Sequence, residues 1–287
     1  MIDLCLSVLF SSFLFVIFKL FGIYKIQTVN AIIVNYITAS IVGSIFYDGD
    51  VILSSIPNKP WFIGAALLGI LFFVVFNLMA RCSQEMGVSV ASVATKMSLV
   101  IPVLAGVWIY HESLSATKVI GIFMALAAVY FASMKDDAVQ FNARHLILPF
   151  LVFTGSGIID VCIKYMEEFY VEADEFPIFS GAAFASAAVS GITFLAIKNK
   201  GRRFGLRRKD IIGGICLGVP NFFSIYFLLR ALQNPQLNSA SIFTVNNVAI
   251  VMLTTLLGIV IFKEKVTKKN WGGILLAVVS IILVALY

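Results

Sequence analysis

Residues 87–122 read GVSVASVATKMSLVIPVLAGVWIYHESLSATKVIGI. The apolar first part contains one charged residue, Lys96, and one proline, Pro102. A similar stretch, SASIFTVNNVAIVMLTTLLGIVIFKEKVTKKNWGGI, occupies residues 239–274. Five positions coincide at one constant offset: Glu112 with Glu264, Leu114 with Val266, Ser115 with Thr267, Gly121 with Gly273 and Ile122 with Ile274. A repeat of this length predicts a fold that is built from two related halves.

The composition is that of a membrane protein. The 287 residues are 60% hydrophobic and 13% charged, and the mean hydropathy is +0.99. A soluble domain does not need so much apolar surface, so the chain is predicted to cross a bilayer several times. The net charge is +6, but the basic residues cluster between the apolar runs. This favours contact with anionic lipid and argues against a nucleic-acid partner.

Ten apolar runs are long enough to cross a membrane, for which a helix needs about 20 residues. They lie at residues 2–24, 28–47, 60–82, 87–110, 117–134, 145–166, 176–197, 210–232, 238–262 and 270–287. The connections between them are short and polar. We therefore predict an all-α fold with ten transmembrane helices.

The repeat extends toward the N-terminus. Ser11 and Lys19 in the first helix match Ser156 and Lys164 in the sixth. Each repeat then has five helices, which places the first repeat at residues 1–135 and the second at 145–287. An odd number of helices inverts the second repeat in the membrane, as in secondary transporters whose site lies at the midplane between the repeats.

Most of the 21 Lys and Arg residues lie in the loops after the odd-numbered helices. The positive-inside rule therefore places these loops in the cytoplasm and both termini outside. The expected location is the inner cell membrane.

The repeated turn identifies a family resemblance. Its residues are Glu112-Ser113-Leu114-Ser115 with Gly121, and Glu264-Lys265-Val266-Thr267 with Gly272-Gly273. Together with two five-helix halves, this pattern resembles the drug/metabolite transporter superfamily, EamA type. The resemblance implies transport of small solutes, often export of amino acids or other metabolites. It also implies termini in the cytoplasm, opposite to the charge count.

Lys96 is the first candidate for substrate binding. A charge inside a membrane helix costs about 2.5–3.5 kcal/mol on insertion scales, so it persists where it pairs or lines water. The ammonium could bind a carboxylate or exchange a proton. The alternatives are a lysine that extends to the membrane surface or one that is locked to a structural partner.

Asp160 and Lys164 stand four residues apart on one face of the sixth helix. One hypothesis is a mutually neutralising pair, and the other is a carboxylate that couples transport to protons. Lys19 has no matching acid, because Phe15 occupies the position equivalent to Asp160. We expect Lys19 to extend to the membrane surface.

Three amides, Asn77, Asn246 and Asn247, complete the predicted substrate site. An amide in hydrocarbon needs either a neighbouring helix or a wet cavity as its partner. Glu112 and Glu264 lie in interfacial turns, where we expect them to cap the helix that follows.

Motifs of enzymes and metal sites are missing: there is no G-x-S-x-G, H-E-x-x-H or P-loop sequence. We therefore predict a secondary transporter for an amino acid or organic anion, with no cofactor or metal, as a monomer or homodimer. Multidrug efflux on the same fold is the first alternative. A membrane-embedded enzyme, or a sensor or assembly subunit without transport activity, is the second.

Overall fold

The computed structural model describes residues 2–46, 53–102, 104–105, 116–132, 144–172, 175–198, 205–232 and 239–286. Within these ranges the chain forms ten α-helices whose bounds follow, further helical residues at 100–102 and 104–105, and a short 3₁₀ helix, Leu53–Asn58, with no strand. The helices are α1 Ile2–Ile23, α2 Thr28–Ile45, α3 Phe62–Glu85, α4 Val88–Met97, α5 Ala116–Ala132, α6 Arg144–Phe169, α7 Phe176–Lys198, α8 Arg208–Leu232, α9 Ser239–Phe262 and α10 Lys268–Leu286. The all-α prediction is confirmed.

Seven of the described helices are long and apolar enough to span a membrane. These spans are Ile2–Ile23, Thr28–Ile45, Phe62–Glu85, Leu146–Met166, Pro177–Lys198, Arg208–Leu228 and Val245–Phe262. With the apolar α4 and α5 between them, they make this chain a multi-pass integral membrane protein.

The fourth helix differs from its prediction. The sequence predicts one helix over residues 87–110, but α4 ends at Met97 and a turn follows at Ser98 and Leu99 before helical structure resumes. Pro102 explains the interruption, because it has no N–H to donate to the carbonyl of Ser98. The Ile101 N–H makes that bond instead, at 2.9 Å, which is the tighter three-residue spacing.

The equivalent helix of the second repeat is continuous. Thr254 stands in α9 where Pro102 stands in the first repeat, and α9 runs unbroken from Ser239 to Phe262. The Thr254 hydroxyl donates to the Ile250 carbonyl at 2.6 Å, and its oxygen lies 2.7 Å from the Ser92 hydroxyl of α4. The two repeats therefore differ in helix continuity near a position where one has proline and the other threonine.

The chain divides into two compact units. Unit 1 comprises Met1–Leu20, Leu78–Ile158 and Phe223–Tyr287, and unit 2 comprises Phe21–Asn77 and Ile159–Phe222. Each unit takes segments from both predicted repeats. The repeat boundaries at residues 1–135 and 145–287, and their inverted orientation, stay predictions.

Unit 1 has a core that is formed mainly by α4, α5, α9 and α10. The buried side chains include Val93, Met97, Val100, Ile122, Ala125, Ala128, Phe153, Val251, Ile274, Ala277 and Ile281. Because lipid is as apolar as these side chains, close van der Waals packing rather than the exclusion of water stabilises such contacts. The alanines of α5, and Gly273 and Ala277 of α10, allow that close approach.

Unit 2 is held together by small residues at helix crossings. A Cβ added to Gly214 on α8 would lie 2.6 Å from the Ala31 carbonyl on α2, and one on Gly69 of α3 would lie 2.6 Å from the Ala183 carbonyl on α7. The Ser186 hydroxyl of α7 donates to the Ala66 carbonyl of α3 at 2.7 Å. These crossings leave no room for larger side chains.

Candidate functional site

Lys96 lies in the last turn of α4, directly before the interruption of the helix. Its side chain is partly buried, and the adjacent Met97 is fully buried. Thr95 and Ser98 turn their hydroxyls back to backbone carbonyls, at 2.9 Å and 2.5 Å. Lys96 thus belongs to the last turn of a short helix, where the helix dipole favours a positive charge.

Asn246 belongs to a buried polar cluster of unit 1. The Ser7 hydroxyl of α1 lies 3.2 Å from Asn246 Oδ1 on α9 and donates to the Ser224 carbonyl of α8 at 2.9 Å. Ser7 and Asn246 are 0% and 2% exposed. The structure thus gives Asn246 a partner on another helix, which was one of the two expected environments for an amide.

The other two amides have different surroundings. Asn77 Nδ2 donates to the Phe73 carbonyl one turn earlier in its own helix, at 2.7 Å. This bond lies within the helix, as an amide in mid-helix can also bond to its own backbone, and the predicted role of Asn77 in the substrate site stays a prediction. Asn247 is partly buried on α9, next to Asn246.

Asp160 and Lys164 lie on α6 in unit 2, and both side chains are exposed. They occupy the surface of the helix rather than a packed core. Both hypotheses for this pair, mutual neutralisation and proton coupling, stay predictions.

The Lys19 side chain has two partners elsewhere in unit 1, and its extension to the membrane surface stays a prediction. Its Nζ donates to the Gln84 carbonyl at 3.2 Å and lies 3.8 Å from Glu264 Oε1. The sequence pattern does not show this partner, because Glu264 lies far from Lys19 in the sequence.

Glu264 caps a helix, but not the one that follows it. Its carboxylate accepts a hydrogen bond from the Val88 N–H at 2.9 Å, at the start of α4. The start of α10 is capped instead by Thr267 and Asn270, whose side chains and backbone N–H groups bond reciprocally at 3.1 and 3.2 Å. This reciprocal pair resembles a capping box, which needs no further acid. The repeat-equivalent Glu112 lies outside the described residues.

Two buried hydroxyls in unit 1 were not singled out as site residues from the sequence. Ser12 and Ser156 are 0% and 6% exposed, and neither hydroxyl has a hydrogen-bond partner within the described ranges. They lie near the middle of α1 and α6. Buried polar groups normally have a partner, so these two are places where water or a solute would be stabilised.

A cavity of about 390 Å³ opens at the start of α2 in unit 2. Its lining consists of Gln27, Thr28, Val29, Asn30, Leu195, Lys198 and Gly205. None of the six predicted site residues belongs to this lining. The Asn30 amide donates to the Gln27 side-chain oxygen at 2.6 Å, so the polar groups of the helix start already bond to each other.

The described residues contain no group of three or more His, Cys, Asp or Glu side chains that could hold a metal ion.

Comparison with known protein families indicates the class of protein. The sequence model of the EamA-like transporter family matches residues 1–134 and again residues 144–286. The family is one of transporters, not enzymes.

Two proteins are similar over nearly the whole chain. An uncharacterised protein of Haemophilus influenzae is 30% identical over 288 residues, covering 97% of this chain and 96% of that protein. A solved crystal structure matches with a TM-score of 0.63 and 14% identity, over 99% of this chain and 96% of that one, which shows the likeness of the fold alone. On the family match, this chain belongs to the EamA-like transporter family, within the drug/metabolite transporter superfamily.

Proposed function

We propose that this protein is a secondary transporter of the inner cell membrane for a small polar metabolite, an amino acid or an organic anion, working by alternating access. The observation that supports the proposal most is the position of Lys96. A positive side chain stands, partly buried, at the point where a helix of a transporter-family protein is interrupted.

An interrupted helix suits solute binding for a physical reason. At such a break the regular hydrogen-bond ladder changes, and transporters commonly place their sites at interrupted helices. A lysine beside the break adds a point charge that attracts a carboxylate. The cost of holding that charge in an apolar region is then offset when an anion binds.

The amides would supply orientation. Asn246 and Asn247 on α9, and Asn77 on α3, are proposed to bond to the polar groups of the solute. Asp160 and Lys164 are proposed to couple transport to protons, since the sequence contains no ATP-binding P-loop. The monomer or homodimer state and the outside position of both termini belong to the same proposal.

The test begins with the identity of the solute. A thermal-shift screen of the purified protein over amino acids, organic acids, nucleobases and cationic drugs selects the ligand for transport. Stabilisation by drugs alone would contradict the proposal and favour multidrug efflux. A pH gradient that accelerates uptake would support proton coupling.

Counterflow of the selected solute in proteoliposomes then tests Lys96. We expect Lys96→Ala to abolish counterflow at normal protein level and melting temperature, and Lys96→Arg to retain part of it. Lys269→Ala, at an exposed position of α10, is the matched control for the loss of a lysine. Counterflow of Lys96→Ala equal to that of the control would remove Lys96 from the site.

A further inference from the structure

The junction between α3 and α4 brings two helix ends together without a side chain to cap the second one. The helix α3 ends at Glu85 and α4 begins at Val88. Gly87 occupies the capping position of α4 with φ +113° and has no side chain that could cap the helix. The first N–H groups of α4 therefore need an acceptor from elsewhere in the chain.

Glu264, in the turn between α9 and α10, supplies that acceptor. Its Oε1 accepts from the Val88 N–H at 2.9 Å, and its Oε2 lies 3.4 Å from the Ser89 hydroxyl. Two glycines make room for the carboxylate. A Cβ on Gly258 would lie 2.6 Å from Oε2, and one on Gly87 would lie 2.9 Å from Oε1.

Lys19 completes the arrangement from α1. Its Nζ lies 3.8 Å from Glu264 Oε1 and donates to the Gln84 carbonyl at the C-terminal end of α3. The ammonium thus lies at the C-terminal end of α3, where the helix dipole is negative. The carboxylate lies at the start of α4, where the helix dipole is positive. The Lys19 and Glu264 side chains are 21% and 15% exposed, so water screens them only in part.

We propose that Glu264 is a positioning residue for transport, which fixes the start of α4 and, with Lys19, ties it to α1 and to the turn after α9. The Glu264 carboxylate makes all of these contacts. Its removal therefore releases the start of α4 from both α1 and the turn after α9. The proposal rests on the proposed function in that α4 contains Lys96, the residue proposed to bind the solute. The Glu264 clasp, consisting of Glu264, Lys19, Val88 and Ser89, acts through α4 and not by touching the solute.

Hydrogen exchange followed by mass spectrometry tests the positioning directly and without any solute. We expect Glu264→Ala to speed exchange in peptides that cover residues 88–92 by about 10-fold, the range expected for the loss of a helix cap. Glu264→Gln keeps one acceptor oxygen and should show a smaller increase. The control is Glu85→Ala. It removes a carboxylate that is 53% exposed and pairs with Arg81 within α3. Unchanged exchange at 88–92 in Glu264→Ala would overturn the proposal.

Counterflow kinetics test the effect on transport. A displaced α4 should raise the KM several-fold in Glu264→Ala, with partial rescue by Glu264→Gln, whereas a loss of folded protein lowers only the maximal rate. A KM equal to wild type in Glu264→Ala would overturn the functional part. The outcome for Lys96 is separate: if Lys96→Ala leaves counterflow intact while Glu264→Ala raises KM, the role proposed for Lys96 fails and that of Glu264 stands.

A double-mutant cycle tests the role of Lys19. If the ammonium acts by balancing the carboxylate, Lys19→Met should speed exchange at 88–92 in the wild-type background and have little further effect in Glu264→Gln. Equal effects of Lys19→Met in both backgrounds would show that Lys19 is independent of the clasp and would overturn that element of the proposal.

Discussion

The Ser280 hydroxyl of α10 donates a hydrogen bond to the Gly121 carbonyl of α5, at 2.7 Å. The reciprocal approach is also present. A Cβ on Gly273 of α10 would lie 3.0 Å from the Ala128 carbonyl of α5. Gly273 follows Gly121 at the repeat offset, and Ser280 follows Ala128 at the same offset. Two contacts that exchange in this way are what a two-fold relation between the repeats would produce.

This close approach predicts opposite effects for two adjacent glycines. Gly273→Ala places its Cβ 2.5 Å from the Ala132 backbone nitrogen, so α5 and α10 must separate. We expect a loss of about 1–3 kcal/mol of stability, as for other overpacked sites. Gly272→Ala meets nothing within 4 Å and should gain up to about 1 kcal/mol from helix propensity. Thermal unfolding in detergent measures both, and equal melting temperatures would contradict the packing argument.

The interruption of α4 gives a second prediction. Pro102→Ala restores an N–H that can bond to the Ser98 carbonyl, so the helix should continue past Met97. Because proline costs about 3 kcal/mol in a helix interior, we expect a higher melting temperature and slower hydrogen exchange at residues 98–102.

The same variant should transport poorly, because a continuous helix would remove the break beside Lys96, where solute binding is proposed. The control is Pro177→Ala in the first turn of α7, where proline removes no helical bond. Faster exchange at 98–102 in Pro102→Ala, or full transport with a continuous helix, would contradict the role given to the break.

The helices could be predicted from the sequence because bilayer thickness limits apolar runs to one length. Nine of the ten predicted runs begin and end within a few residues of the described helices. The exception is α4, which Pro102 interrupts. The sequence shows where this proline lies, but not whether the helix bends or ends there. A membrane helix can bend at a proline and continue, or it can stop there. The outcome depends on whether neighbouring groups satisfy the backbone groups that the proline leaves without a helical partner.

The partners of charged residues were harder to predict. Lys19 and Glu264 lie far apart in the sequence, and no pattern within either segment pairs them. Gly87 offered a signal, since a helix that follows a glycine has no side chain in the capping position and needs an acceptor from outside. Sequence alone does not say which of the 15 acidic residues provides it.

A pH prediction concerns Glu175 in unit 2. The carboxylate accepts hydrogen bonds from Lys59 Nζ and from Trp61 Nε1, the latter at 2.8 Å. The bond from Lys59 lowers the pKa of Glu175 below its usual value of 4.5, against the raising effect of burial, and Trp61 lowers it further. A lowered folded-state pKa stabilises the fold at pH above about 4.5, and this contribution is lost as the pH falls through the folded pKa.

The measurement is the melting temperature of wild type and Glu175→Gln between pH 3 and 7. At neutral pH we expect the variant to lose about 1–3 kcal/mol, because Lys59 and the buried Trp61 N–H lose a charged acceptor. The two curves should converge in acid. Glu172→Gln, an exposed neighbour, is the control. A difference between wild type and Glu175→Gln that stays constant into acid would contradict the lowered pKa.

The last prediction separates the two amides that were proposed for one site. Asn77 Nδ2 bonds to the Phe73 carbonyl, which also accepts the helical N–H of Asn77, so Asn77→Ala should change stability by less than about 0.5 kcal/mol. Asn246 is buried against Ser7, whose single proton is shared with the Ser224 carbonyl. Asn246→Ala leaves that hydroxyl with one acceptor and opens a small gap, at a cost of about 1–2 kcal/mol. If both amides also bind the solute, each substitution should raise the KM of counterflow, although only Asn246→Ala lowers the melting temperature. A wild-type KM in Asn77→Ala would remove this amide from the proposed site, and an unchanged melting temperature in Asn246→Ala would show that its contact with Ser7 contributes nothing to the fold.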